Sequence, residues 1–280
     1  MPALRDLEIG VMFWAGRDPA ETLQEVKGLG VVCGQLGVPG DLELTPELVA
    51  AWSAALAAEH FTLVTVFASF VGEDYADIPT VQRTVGFIPR ATRQEREART
   101  LALSNFAASL GVGSIAAHIG FVPHDPADPD FVAVRDMVRR VCDHAAKHGQ
   151  SFALETGQEP AAVLLEFFQR VDRPNLAINF DPANMILYGS GDPIEALGTL
   201  AAHVVSVHAK DGDWPDPAKP GALGVEQPLG RGAAGMERFV AKLREIGYRG
   251  PLCIEREIPD HAQRLKDIRM GVELLERLRG

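Results

Sequence analysis

The chain has 280 residues, 46% of them hydrophobic and 23% charged, and it carries a formal charge of −11 with no biased tract. That balance belongs to a folded globular protein with material for a large core, and it excludes intrinsic disorder. The acidic excess argues against a nucleic-acid partner, which draws on clustered Lys and Arg, and favours a small polar ligand.

Residues 7–13 alternate weakly and read as a first strand. Asp18-Pro19 then supplies an N-cap with proline at the first helical position and predicts a helix to about Leu29. Residues 31–38 form a second strand, Thr45-Pro46-Glu47 opens a second helix through Ala58, and residues 61–70, rich in β-branched and aromatic types, make a third strand. Residues 71–90 are irregular, broken by Gly72, Pro79, Gly86 and Pro89; a segment this long commonly binds or covers a site, and a lid is expected here. A helix over 92–110, a strand over 113–119 and a helix over 131–147, ended by His148-Gly149, follow.

Four short apolar runs then each end on a residue able to bind a metal: Phe152-Ala153-Leu154-Glu155, Ala177-Ile178-Asn179-Phe180-Asp181, Val204-Val205-Ser206-Val207-His208 and Leu252-Cys253-Ile254-Glu255. Helices over 160–171, 193–202 and 236–246 separate them, and a last helix carries Leu265, Ile268, Val272, Leu275 and Leu278 as an apolar stripe. Eight strands thus alternate with eight helices, which argues for parallel strands and for one closed (β/α)8 TIM barrel spanning residues 1–280. The ligand positions recur at intervals of 26, 27 and 47 residues (155 to 181, 181 to 208, 208 to 255). Residues 213–228, rich in Pro and Gly, read as a loop that lengthens the last interval.

Side chains alternate across a strand, so Glu155 shares a face with Ala153, Asp181 with Asn179, His208 with Ser206 and Glu255 with Cys253. The opposite faces carry Leu154, Phe180, Val207 and Ile254, which suit the layer between barrel and helices. The four ends therefore converge in the barrel mouth at the C-terminal edge, where barrel enzymes keep their sites. One such acid alone reads as solvated or salt-bridged. Three carboxylates and an imidazole together either protonate in part or hold a cation, and an oxygen-rich set without thiolates suits one divalent ion: Mn²⁺, Mg²⁺, Co²⁺ or Zn²⁺.

At these motifs the chain resembles the sugar phosphate isomerase/epimerase superfamily, the xylose-isomerase-like barrels that include ketose 3-epimerases, hydroxypyruvate isomerases and inosose dehydratases. The resemblance rests on Leu154-Glu155-Thr156, Asn179-Phe180-Asp181-Pro182-Ala183-Asn184, Val207-His208-Ala209-Lys210-Asp211-Gly212, Pro228-Leu229-Gly230-Arg231-Gly232 and the block over 246–257. It implies that Glu155, Asp181, His208 and Glu255 bind the ion. It also implies that Glu155 and Glu255 exchange a proton with a ketose or related hydroxycarbonyl sugar through an enediolate. Lys210 reads either as a holder of a substrate hydroxyl, carboxylate or phosphate or as a partner of Asp211 or Glu257. Arg231 reads as a clamp on an anionic end or as a solvated side chain, and His118 as a substrate contact or a wall residue. Asn184 stands where several relatives carry a substrate-contacting histidine, and Ala233-Ala234-Gly235 departs from the acidic residue many relatives have there. Trp14 reads as barrel packing in preference to a pocket wall.

A dehydratase of inosose or dehydroshikimate type shares the first half-reaction and stands as the alternative. The abasic-site endonuclease branch of the fold needs more inward histidines and a basic surface, and a sugar-binding relic needs no complete ligand set. Cys33, Cys142 and Cys253 are odd in number and lack CxxC spacing, which points to a reducing cytoplasm. The N-terminal run 1–5 has no signal-peptide character, no apolar stretch suits a membrane span, and members of the family often form dimers or tetramers.

Overall fold

The computed structural model describes residues 4–280; Met1-Pro2-Ala3, part of the N-terminal run considered above, lies outside the described residues. Eight parallel strands close a barrel: β1 (Ile9–Trp14), β2 (Cys33–Val38), β3 (Thr62–Ala68), β4 (Ser114–Ala117), β5 (Ser151–Glu155), β6 (Leu176–Phe180), β7 (Val204–Ala209) and β10 (Leu252–Ile254). Their order around the barrel is β1-β10-β7-β6-β5-β4-β3-β2. Between β7 and β10, β8 (Asp211–Asp213) and β9 (Val225–Gln227) pair as an antiparallel hairpin. The expected loop over 213–228 is thus bounded by a small ribbon.

The outer layer holds α1 (Pro19–Lys27), α2 (Pro46–Glu59), α4 (Arg93–Ser109), α5 (Pro129–Ala146), α6 (Ala161–Val171), α8 (Pro193–Leu200), α9 (Met236–Glu245) and α10 (His261–Arg279). Asp18 and Thr45 cap α1 and α2 through their side chains, with Pro19 and Pro46 in the first turn. Two further helices were not expected: α3 (Ile78–Thr84) inside the segment read as irregular, and α7 (Pro182–Tyr188) directly after β6. Both follow an aspartate N-cap, Asp77 and Asp181.

Strand alternation divides the core as expected. Leu154, Phe180, Val207 and Ile254 join the large cluster between barrel and helices, whereas Met12, Phe67, Ala116, Ala153 and Ala177 form a small cluster of their own. Parallel register then sets the height of the ligand ends. Glu155 pairs with Asn179 and Asn179 with Ser206, so Asp181 and His208 sit one inward position higher; His208 pairs with Cys253, which puts Glu255 higher again. This climb is the stagger that a closed, tilted barrel requires. Among the described residues, no helix is long and apolar enough to cross a membrane.

Candidate active site

Strand β5 ends on Glu155, and Asp181, His208 and Glu255 follow from β6, β7 and the end of β10. One ligand atom from each of the four lies within 4.8 Å of the others. His208 Nδ1 is 2.8 Å from Glu155 Oε1, 3.2 Å from Glu255 Oε2 and 3.5 Å from Asp181 Oδ2. Asp181 and His208 are fully buried, and Asp181 Oδ2 and His208 Nδ1 have no hydrogen-bond partner. Buried polar atoms left unpaired and aimed at one point are the arrangement a cation satisfies. The donor set of three carboxylates and one imidazole fits a divalent ion.

The electrostatics agree with so crowded a set. Burial, with the charges of Glu255 and Asp181, lifts the Glu155 carboxyl to about 7 against the pull of His208. Burial alone lowers an imidazole, but the Glu255 charge and the nearby Asp181 and Glu155 raise His208 well above its usual range. Glu255 moves far down, because His208 and Lys210 outweigh its burial.

Asp181 has two jobs. Its Oδ1 accepts the Asn184 N–H at 2.8 Å and caps α7, while Oδ2 faces His208. The imidazole is held from its other side: His208 Nε2 lies 2.6 Å from Gln35 Oε1 on β2, Gln35 Nε2 donates to Asn179 Oδ1 at 3.1 Å, and Ser206 Oγ donates to the same oxygen at 2.6 Å. Phe67 covers one side of the ring, with centroids 5.0 Å apart.

Glu155 and Glu255 open onto a cavity of about 1220 Å³ including its mouth, which His118, Asn184 and Lys210 also line. His118 Nδ1 accepts the Gly120 N–H at 3.2 Å, so the proton of the neutral ring sits on Nε2, which is unpaired. Burial, aided by Lys210, lowers this imidazole to about 4 and keeps it neutral. Lys210 Nζ donates to Glu255 and Glu257, both at 2.8 Å. Of the two expected acidic neighbours it takes Glu257 and not Asp211. The Asp211 carboxylate accepts four backbone N–H groups, from Gly212, Gly230, Gly232 and Ala234, and shapes the loop of the Gly230-Arg231-Gly232 motif. Arg231 itself is exposed and is not among the cavity-lining residues. The motif glycines answer to this packing: a Cβ on Gly232 would lie 2.5 Å from Asp211 Oδ1, and Gly230 has φ +81°.

Segment 71–88 brings Glu73 and Tyr75 to the cavity, and the insertion after β8 brings Leu223, Gly224 and Glu226. The two segments meet where Ile78 N–H donates to Gly221 O at 2.9 Å. Glu73 is spent on the backbone N–H groups of Phe70 and Gly86, and Glu226 on Arg256 and the Glu257 N–H. Trp14, expected in barrel packing, is 40% exposed and lines the cavity. Gln35, Tyr75 and Tyr188 were not singled out as site residues from sequence, since none lies in a motif or at a strand end that marks it, and Glu257 was expected only as a partner of Lys210.

The Xylose isomerase-like TIM barrel family matches residues 23–278. The chain belongs to that family. A xylose isomerase domain protein from Planctomyces limnophilus is 45% identical over 98% of both chains, with a TM-score of 0.93. A xylose isomerase-like TIM barrel protein from Mycobacterium smegmatis, solved with magnesium, is 18% identical over 97% of this chain and 96% of that one, with a TM-score of 0.71. A D-tagatose 3-epimerase-like protein is also 18% identical with a TM-score of 0.71, covering 98% of this chain and all of its own. At such identity these last two share the fold alone. An uncharacterised protein of Methanocaldococcus jannaschii is 26% identical over 166 residues, 55% of this chain, and the match spans about half (54%) of that protein's length.

Proposed function

We propose that the chain, residues 1–280, is one barrel domain acting as a divalent-metal-dependent isomerase or epimerase on an uncharged ketose or related hydroxycarbonyl sugar. The observation that carries this reading is the convergence of Glu155, Asp181, His208 and Glu255 within 4.8 Å where the barrel opens to the cavity. Glu155, Asp181, His208 and Glu255 would hold the ion. When bound, such an ion supplies Lewis-acid stabilisation of negative charge developing on substrate oxygen.

Glu155 and Glu255 come from strands three places apart on the barrel and can face a substrate carbon from two sides. One carboxylate takes the proton from the carbon beside the carbonyl, leaving an enediolate; the other carboxyl returns a proton to the opposite face or to the neighbouring carbon. The two glutamates exchange protonation states in that turnover and are reset through solvent. Lys210 steadies Glu255 through its 2.8 Å contact. The unpaired Nε2–H of His118, and Asn184 beside Asp181, supply polar groups for substrate hydroxyls.

Charge supports an uncharged substrate. Glu73, Glu155, Glu226, Glu255 and Glu257 line the cavity, and Lys210, the one Lys or Arg among the lining residues described, is held by Glu255 and Glu257. A phosphate there would meet excess negative charge and no unengaged basic group. The overall acidity favours no nucleic acid, and three buried unpaired cysteines suit a reducing cytoplasm.

The test is a panel of free ketoses and their phosphates incubated with Mn²⁺-loaded protein in D₂O and followed by NMR. Deuterium appearing at the carbon beside the carbonyl, with an epimer or aldose product, is expected for free sugars. Absence of exchange across the panel would sink the proposal, and loss of water with a new conjugated absorbance would replace it by a dehydratase.

A further inference from the structure

Gln35 is buried in the middle of β2, 1% exposed, 144 residues from Asn179 and 173 from His208 in sequence. We infer that Gln35 is a positioning residue that holds His208 in the one tautomer able to offer Nδ1 to a metal ion. The inference rests on the metal reading above.

A neutral imidazole has one N–H donor and one acceptor nitrogen, and the partner of the first decides which nitrogen is left for a ligand. His208 Nδ1 faces Glu155, Asp181 and Glu255, and when its lone pair is given to a cation among them the ring is neutral and Nε2 carries the proton. Gln35 Oε1, 2.6 Å away, accepts it. The amide is prevented from presenting its NH₂ end instead, because that end donates to Asn179 Oδ1, an oxygen that also takes the Ser206 hydroxyl. Reversing Gln35 would set its carbonyl against Asn179 Oδ1, two acceptors face to face in a buried space. As placed, the chain Ser206, Asn179, Gln35, His208 runs in one direction and leaves Asn179 Nδ2 unpaired.

A glutamine suits the place better than a carboxylate. Around one divalent ion the three carboxylates already leave a net negative charge that Lys210 offsets, and an amide accepts the imidazole proton without adding another. The position has no room for solvent to substitute: Gln35, Asn179, Ser206 and His208 are all buried.

The test compares wild type with Gln35→Met and Gln35→Glu, measuring Mn²⁺ affinity by calorimetry and the His208 Nε2–H resonance in the metal-free protein by NMR. The expected result is a 10–100-fold weaker Kd for Gln35→Met. Its low-field N–H signal should be lost to exchange, while Gln35→Glu keeps the signal and recovers most of the affinity. Wild-type Mn²⁺ affinity in Gln35→Met, or an unchanged resonance, overturns the inference. If Gln35→Met does not fold, the wild-type resonance and Gln35→Glu decide: no protected Nε2–H in either overturns it. A wild type that binds no Mn²⁺ while showing the protected N–H overturns the metal reading and leaves the Gln35–His208 bond itself demonstrated.

Discussion

Asp211→Asn should destabilise the protein far more than a loop substitution normally does. Asp211 is 1% exposed; its Oδ1 accepts from Gly212 and Ala234 at 3.0 Å each, and its Oδ2 from Gly230 at 2.9 Å and Gly232 at 3.0 Å. An amide keeps one oxygen and turns an NH₂ group toward two backbone donors, so two of the four bonds go. At about 1.5–3 kcal/mol for each bond to a charged acceptor, the loss is about 3–6 kcal/mol. Rotating the amide only exchanges which two donors are orphaned. Urea unfolding at constant m reads the cost as a shift in midpoint, and limited proteolysis within 228–235 should show the loop opening first. The neighbouring Lys210 pairs with Glu255, so turnover on an active ketose should fall as well. A stability change within about 0.5 kcal/mol of zero, the range of ordinary surface substitutions, would refute the view that this carboxylate organises the loop.

Glu159, 5% exposed, is raised to about 8 by burial against the Val122 N–H bond that stabilises its charge. Below pH 4.5 it is protonated in both states; between 4.5 and 8 the unfolded chain releases the proton while the folded one retains it, so stability falls as pH rises and the loss is complete above 8. The full shift is bounded at about 5 kcal/mol, and Glu159→Gln, which keeps the acceptor for Val122, should gain about 1–3 kcal/mol at pH 8 and almost nothing at pH 4; thermal melts across that window with no pH-dependent difference would exclude it. Mn²⁺ at about 100 times its Kd should stabilise the protein by about 2.7 kcal/mol, reversed by chelator and absent in Asp181→Asn; a melting temperature indifferent to the ion counts against the four-ligand site. Gly157→Ala puts a Cβ 2.8 Å from Asn184 Cβ and 3.1 Å from the Tyr188 ring, so it should cost about 1–3 kcal/mol and raise KM through the displaced wall; unchanged KM and stability would show that Asn184 and Tyr188 yield freely. Glu255→Gln should lower kcat about 10²–10⁴-fold with fold retained, as removal of a proton-transfer group does, and full activity in that variant would remove Glu255 from the chemistry.

What could be read in advance was whatever local periodicity encodes. The strand ends were legible because a buried parallel strand alternates small inward residues such as Ala153 and Ala177 with large outward ones such as Leu154 and Ile178, and an acid or histidine on the small side stands out. Helices α1 and α2 announced themselves through Asp18-Pro19 and Thr45-Pro46. The identical signal at Asp181-Pro182 opens α7 and was overlooked, because Asp181 was read for one role when its two oxygens allow two: Oδ1 caps the helix and Oδ2 faces the site. Helix α3 is a seven-residue turn of chain among breakers, too short for an apolar stripe to show.

Gln35 and Asp211 were hidden for a different reason. Neither breaks a local rule: one is a polar residue on an inward strand position, the other an acid beside a lysine. Their roles come from what lies across the barrel or across a loop, at sequence distances of 173 for the Gln35–His208 contact and 19 to 23 for the Asp211 bonds to Gly230, Gly232 and Ala234. Stagger decides the first. Gln35 pairs with Met12 on β1 and Thr65 on β3, neither of them a ligand in the site, and it reaches His208 only because the closed barrel sets β2 three places from β7 across the interior at the height of the site. A linear sequence carries each strand's alternation but not the relative height of strands that never pair. The ligands could therefore be read strand by strand, whereas the residue that sets the imidazole's proton emerges only once all eight strands are closed.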